Sequence, residues 1–324
     1  VKKILVTGGA GFIGSNFIRH ILNKYGDYSI VNLDKLTYCG NLDNLKDLSK
    51  NKRYKFVKGD IADAKIVERS AKGCDYLISF AAETHVDRSI HGAAEFVRTN
   101  IFGTYTLLEA AKRLGTKLFI QISTDEVYGS ITEGSFKETD PLSPNSPYSS
   151  TKAGSDLLAR SYFVTYKLPV IITRSSNNFG PFQYPEKVIP LFITNLLQNK
   201  KVPLYADGMN VRDWLYVIDN CEAIDLIMHK GKAGEIYNIG GTAEITNLEL
   251  TYSILEMLHK DKRYIEYVKD RPGHDKRYSL DMTKLKALGW HPRHDFKEAL
   301  AATVGWYGEN KAWWTKLIKC RKKY

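Results

Sequence analysis

The chain has 324 residues, 43% of them hydrophobic and 26% charged, which excludes disordered and fibrous classes and predicts one or two globular domains. Its net charge of +11 is spread along the chain and dense only over 316–324, which suits phosphate-bearing small ligands better than nucleic acid. No apolar run reaches bilayer length and no secretory leader is read, while four scattered cysteines (Cys39, Cys74, Cys221, Cys320) read as free thiols of a cytoplasmic protein, without metal-binding spacing.

The first half alternates two patterns. β-Branched runs over 4–7, 29–33, 54–57, 76–80, 118–123 and 169–173 read as buried strands, and amphipathic stretches such as 12–24, 94–114 and 148–166 read as helices. This predicts an α/β fold, a doubly wound parallel sheet with helices on both faces. Beyond about residue 175 the pattern is irregular, with strand-like pieces over 202–205, 235–239 and 264–268 and helices over 218–229 and 247–259. The second of these helices opens on a capping box, Thr246 to Glu249. Residues 1–175 are therefore expected to form one domain, and 176–324 mainly a smaller mixed α/β substrate-binding lobe, with the chain free to cross between them.

A glycine turn stands between the first strand and the first helix, with Gly8, Gly11 and Gly14 in GxxGxxG spacing. Glycines there permit a tight turn and let backbone N–H groups reach a pyrophosphate, while the helix N-terminus favours its charge; the context predicts a Rossmann-type dinucleotide fold. Asp34 ends the second strand twenty residues beyond Gly14, where a carboxylate meets a ribose 2′-hydroxyl and repels a 2′-phosphate, so NAD is expected over NADP. Asp60 and Ile61 after the third strand, and Ala81 and Ala82 after the fourth, are placed to line the same groove. The fifth strand delivers Thr124, Asp125 and Glu126; adjacent acids at a buried strand end are costly unless used or paired. Tyr148 and Lys152 form a YxxxK pair on one helix face, with Pro147 fitting the first turn. A nearby ammonium, with the positive nicotinamide ring of NAD⁺, is expected to lower the phenol pKa and make Tyr148 a base at neutrality.

These stretches, with 34–38, 81–90, 174–190, 212–217 and 270–275, resemble the extended short-chain dehydrogenase/reductases and, among them, the dTDP-glucose 4,6-dehydratase family. The pair Asp125-Glu126 is the most discriminating feature, since sugar-nucleotide epimerases of similar fold lack it. Departures are small: Thr84 stands where Ser is common, and Phe179 and Phe182 where Tyr is common. The resemblance implies NAD held also by Phe12, Ile13, Lys35, Leu36, Thr37, Thr99 and Asn178. It implies a nucleotide sugar held by Thr84, His85, Asn177, Glu186, Lys187, Pro203, Tyr205, Arg212, Asn247, Arg271, His274 and Tyr278. Arg212 and Arg271 suit a diphosphate clamp. His85 and His274 can instead be structural histidines, and Asn247 can serve the helix cap beside it. The implied reaction oxidises C4 of the sugar with Tyr148, Lys152 and Thr124. It then eliminates water, with Glu126 as base at C5 and Asp125 as acid on the 6-hydroxyl, and reduces C6. A homodimer joined through helices 94–114 and 148–166 is also implied. A UDP- or CDP-glucose dehydratase and a 4-epimerase remain the alternatives at this point.

Overall fold

β1 (Lys2–Thr7) runs through the middle of the molecule with Ile4, Leu5 and Val6 wholly buried, which requires helices on both faces of its sheet. The computed structural model describes residues 1–321. In chain order, α1 (Phe12–Lys24) leads to β2 (Tyr28–Asp34), a 3-10 turn (Leu42–Leu48), β3 (Tyr54–Lys58), α2 (Ala64–Ala71), β4 (Tyr76–Ser79) and α3 (Val86–His91). A long helical segment follows: α4 (Ala94–Phe96), a π-helical turn (Val97–Gly103) and α5 (Thr104–Leu114). Then come β5 (Leu118–Thr124), a 3-10 turn (Asp125–Tyr128), α6 (Pro147–Tyr166) and β6 (Val170–Ser175). The second half supplies β7 (Asn177–Phe179), α7 (Val188–Leu197), β8 (Val202–Tyr205), β9 (Val211–Tyr216), α8 (Val217–Lys230) and β10 (Ile236–Ile239). It closes with β11 (Ala243–Thr246), α9 (Asn247–Met257), β12 (Ile265–Val268), α10 (Thr283–Ala287), α11 (Phe296–Glu309) and α12 (Lys311–Arg321).

Seven parallel strands form the large sheet in the order β10-β6-β5-β4-β1-β2-β3. Side chains alternate between two cores, as a strand's period of two dictates. Ile4, Val6, Ile30 and Ile120 point to one core with α1 and α8, while Leu5, Val31, Phe119 and Ile172 point to the other with α2, α5 and α6. The strand order reverses between β1 and β4, and the crevice at that switch point opens at the strands' carboxyl ends, where such sheets bind ligands. A smaller three-stranded sheet (β11-β9-β7) and a two-stranded one (β12-β8) pack around Phe179, Phe192, Trp214, Leu250 and Trp314. No helix among the described residues is long and apolar enough to cross a membrane. Cys39, Cys74 and Cys221 are free thiols. Of the basic stretch 316–324, residues 322–324 lie outside the described ones, as do the side chains of Cys320 and Arg321.

Two features depart from the sequence pattern. The strand read over 235–239 does not stay with the smaller lobe: β10 pairs with β6, setting Ile236 opposite Ile172 and Ile239 opposite Ser175. α8 also crosses back, burying Ile224 and Ile227 against the face that holds Ile4 and Val6. Without β10, β6 would present an apolar strand edge with unpaired backbone groups. The helix read over 94–114 is broken by the π-helical turn, a form that recurs at functional sites. A Cβ on Gly103 would lie 2.5 Å from Ile61 Cδ1, so a larger residue would have to displace the buried Ile61 side chain of the loop after β3.

α1 and α8 are locked together by one carboxylate. Asp225 accepts from His20 Nε2 (2.8 Å), Lys24 Nζ (2.6 Å) and the Tyr25 hydroxyl (3.0 Å), with His229 Nδ1 3.0 Å away. Burial pushes the Asp225 carboxyl up, but the bonds from His20 and Lys24 outweigh it and hold the pKa at about 2, below the usual 3.8. A depressed carboxyl stabilises the fold above its unfolded pKa and loses that contribution as pH falls through the folded value, a difference of about 2 kcal/mol here. Asp225→Asn should therefore lower unfolding stability at pH 7 by about 2 kcal/mol and flatten the loss of stability between pH 4 and 2, which denaturant titrations across that range would measure.

Candidate active site

The groove begins where β1 ends. Gly8 takes φ +71°, and a Cβ there would sit 2.6 Å from Ala81 Cα, so the glycine lets the loops after β1 and β4 touch. A Cβ on Gly14 would lie 2.5 Å from the Gly8 carbonyl oxygen, which would force α1 off the turn. No side chain caps the start of α1, leaving its first N–H groups for an anion. Asp34 is buried at the end of β2, where Oδ2 accepts the Ala10 N–H (2.9 Å) and Oδ1 the Leu36 N–H (2.8 Å). Burial pushes its carboxyl up against the pull of those two donors. Each oxygen keeps a further lone pair, so the residue can staple the turn and still accept a ribose hydroxyl.

One cleft runs from this turn across the ends of β1, β2, β4 and β5. It gathers Gly8, Gly11, Phe12, Ile13, Gly14, Asp34, Lys35, Thr37, Asp60, Ile61, Ala81, Ala82, Thr99 and Asn178. It also holds Thr84, Asn177, Glu186 and Lys187 together with Thr124, Asp125, Glu126, Tyr148 and Lys152. Lys35 Nζ lies 3.0 Å from Asp60 Oδ2, with Arg98 3.5 Å away, so Asp60 is already paired at the rim. Leu36 is not among the lining residues; its part is the backbone N–H held by Asp34, in a left-handed conformation at φ +57°. The residues of this cleft suit a dinucleotide: a side-chain-free cradle for a pyrophosphate and a buried acid for the ribose.

The catalytic group converges from β5, the turn after it and α6. Ser146 caps α6 in a capping box with Ser149, fixing the helix that carries Tyr148 and Lys152. Lys152 Nζ donates to the Ile122 carbonyl (2.6 Å), and burial lowers its pKa to about 8, with Asp156 one turn on pulling upward. Asp156 is itself paired with Arg174 (3.0 Å), whose Nη1 donates to the Tyr128 hydroxyl (2.8 Å). Burial pushes the Tyr148 hydroxyl well above its usual value, Glu126 adds to the rise, and the Thr124 side-chain hydrogen bond opposes it.

The two carboxyls are unequal. Asp125 is buried; desolvation, then Glu126 and Asp213, push it well above the ordinary range. Its Oδ1 accepts from the Thr124 hydroxyl (3.1 Å), while its buried Oδ2 has no hydrogen-bond partner among the described atoms. Burial also raises Glu126, but Lys187, Arg271 and Arg212 favour its charged form. Asp213, held by the Gly241 N–H (2.6 Å), is pushed by burial to about 6. Sequence reading missed Asp156, Arg174 and Asp213. Asp156 had a signal, lying four residues beyond Lys152 on one helix face, whereas the other two arrive from strands far along the chain.

Eight expected substrate residues do not line the cleft: His85, Pro203, Tyr205, Arg212, Asn247, Arg271, His274 and Tyr278. His85 accepts the Arg88 N–H as the cap of α3, with Nε2 3.9 Å from Glu186. Tyr205 and Arg271 both reach Asp87, at 3.4 Å each. His274 is no surface histidine: its ring is buried, bonded to Asp270 (2.6 Å) and edge-on to Tyr205. Arg212 lies over the Tyr278 ring and spends Nη1 and Nη2 on the carbonyls of Val211, Asp275 and Lys276, leaving less of the guanidinium for a diphosphate than expected. Pro203 sits in β8, and Asn247 opens α9, where Thr246 rather than Asn247 is the cap.

Comparison with known proteins gives this geometry its family. A family model described as GDP-mannose 4,6 dehydratase matches residues 5–303. The dTDP-glucose 4,6-dehydratase of Streptomyces niveus is 52% identical over 320 residues, covering 97% of this chain and 95% of its own. The low-salt glycan biosynthesis protein Agl12 of Haloferax volcanii is 53% identical over 304 residues, covering 94% of this chain and 98% of its own. Among solved structures, DesIV, the dTDP-glucose 4,6-dehydratase of Streptomyces venezuelae with NAD bound, superposes with a TM-score of 0.96 at 52% identity, covering 97% of this chain and 99% of that one. The chain therefore belongs to the GDP-mannose 4,6 dehydratase family, on the branch of the dTDP-glucose 4,6-dehydratases.

Proposed function

We propose that the protein converts dTDP-glucose to dTDP-4-keto-6-deoxyglucose. The observation that carries this reading is one cleft holding a Tyr148–Lys152 pair beside two adjacent carboxyls of unequal proton affinity. NAD, which the glycine cradle and Asp34 fit, supplies an acceptor for the C4 hydride and returns it at C6. Residues 1–175 are read as the part that binds it, and 176–324 as mainly the nucleotide-sugar part.

Each side chain then has one task. Tyr148 takes the 4-hydroxyl proton while Thr124 holds the oxygen, and the Lys152 charge, with that of an oxidised nicotinamide bound beside it, would favour phenolate. The ketone formed at C4 acidifies the C5 proton. Glu126, whose charged form Lys187, Arg271 and Arg212 favour against the opposing effect of burial, removes it, and Asp125, pushed up further by burial and by Glu126, gives its proton to the leaving 6-hydroxyl. An epimerase has no use for that second pair. The protein is further read as a cytoplasmic homodimer. Val97, Phe102, Tyr105, Leu157, Val164 and Tyr166 are exposed along helical segments 94–114 and 147–166, an apolar surface suited to a second copy.

Glu126→Gln and Asp125→Asn should keep NAD and substrate binding yet lose dehydration by about 10²–10⁴-fold, while Tyr148→Phe should stop the first oxidation. Near-normal turnover in either carboxyl variant would remove its assigned role. Lys152 is charged below about pH 8. If its charge is required, kcat/KM falls as pH rises through that value, and Asp156→Asn, which removes a negative neighbour, moves the fall to lower pH. An unshifted alkaline limb would show that Asp156 does not act on Lys152. Finally, dTDP-glucose deuterated at C4 should yield product carrying deuterium at C6, read by NMR. Label restored to C4 would mean epimerisation and label lost to free cofactor a simple dehydrogenase, and inactivity on dTDP-glucose alongside turnover of UDP- or CDP-glucose would reassign the base.

A further inference from the structure

α11 and α12 follow the smaller lobe in sequence, yet both reach the cofactor groove through bonds that the reaction scheme does not use. Trp313, on α12, donates its indole N–H to Asn44 Oδ1 (2.9 Å), and Lys316 lies 3.3 Å from Asp43 in the same 3-10 turn. Asn44 is 1% exposed, and its amide donates to the Ala10 carbonyl (3.0 Å), which also accepts the Asn41 N–H (2.9 Å). Ala10 lies inside the glycine turn and gives its own N–H to Asp34. One run of hydrogen bonds thus joins the C-terminal helix to the turn and to the acid at its side.

A second contact reaches the other end of the cleft. The Tyr307 hydroxyl, on α11, donates to the Gln183 carbonyl, and the Gln183 amide donates to the Asn178 carbonyl (2.9 Å); both residues line the cleft. Between the two contacts Phe182 packs edge-on against Trp306 (4.8 Å) and Trp313 (6.0 Å), with Arg19 of α1 over its ring (4.7 Å). The two helices are themselves pinned by the Trp314 indole on the Tyr307 carbonyl (2.8 Å), in a ring that is 1% exposed.

We propose that α11 and α12 form a clasp that positions both ends of the dinucleotide groove and slows release of the cofactor, with Trp313 and Tyr307 as its positioning residues. A turn built on glycines has little side-chain packing to hold its N–H donors in place, and ordering them on binding costs conformational entropy. Fixing Asn44 from outside holds the turn ready before the ligand arrives, which lowers that cost and lengthens the bound lifetime. A cofactor regenerated in each turnover gains from a long lifetime. The inference rests on the NAD reading above.

The test is the release of NADH from purified full-length enzyme, followed by fluorescence after a chase with excess NAD. Trp313→Phe removes the donor and keeps a smaller aromatic ring, and Tyr307→Phe removes only the hydroxyl. Each should speed release by about 3- to 10-fold, the effect of one lost hydrogen bond, with KM for dTDP-glucose within about twofold of the parent. The double variant should multiply the two effects. Release at the parent rate in both single variants would overturn the clasp and leave the NAD reading intact, even if their unfolding midpoints fell. Failure of the parent itself to bind NADH would overturn both.

Discussion

A charge taken from water into a protein interior costs several kilocalories per mole unless a partner or a proton compensates it, and the rest of this fold is arranged around that constraint at the carboxyl end of β5. Asp125, Lys152, Asp156, Arg174 and Asp213 are all buried there, with Glu126 beside them. Arg174 and Asp156 compensate each other, and Lys152 leans on the Ile122 carbonyl and on the field of Asp156. Among the described residues Asp125 has no cation in hydrogen-bond reach, so the lowest-cost state for it is the protonated one. That state is the one an acid catalyst needs.

The same constraint explains why the chain returns to the large sheet. The Tyr128 hydroxyl accepts from Arg174 and donates to the Asn238 side chain, which lies on β10. β10 therefore closes the open edge of β6 and also supplies the last partner in the run that starts at the buried ion pair. Tyr128 belongs to the turn carrying Asp125 and Glu126, so the edge strand holds the acids in place as well.

Much of this was legible in the sequence because the signals are local. The glycine spacing, the acid ending β2, the tyrosine and lysine one turn apart and the capping box at Thr246 are each read within a few residues, and the elements around them fold as those patterns require. What escaped reading depends on contacts across the chain. Nothing in residues 236–239 shows that they pair with β6 rather than with the smaller lobe, since an apolar strand suits either sheet. Nothing in Arg212 shows that two of its nitrogens are spent on carbonyls some sixty residues on. A helical pattern over 94–114 does not disclose the π-helical turn either, since the side chain that crowds Gly103 there, Ile61, comes from another element.

The division of labour between the two carboxyls has a further consequence for how the lobes depend on each other. The cations that favour ionised Glu126 are Lys187, Arg271 and Arg212, and all three lie beyond residue 175. The influences that keep Asp125 protonated are burial, Glu126 itself and Asp213. Ionising Glu126 therefore raises the proton affinity of Asp125, and the cations of the second half set that order. Of these cations Lys187 lines the cleft, while Arg271 and Arg212 act on Glu126 from outside its lining. The order in which the two carboxyls hold their protons is thus set in part by side chains from the second half of the chain.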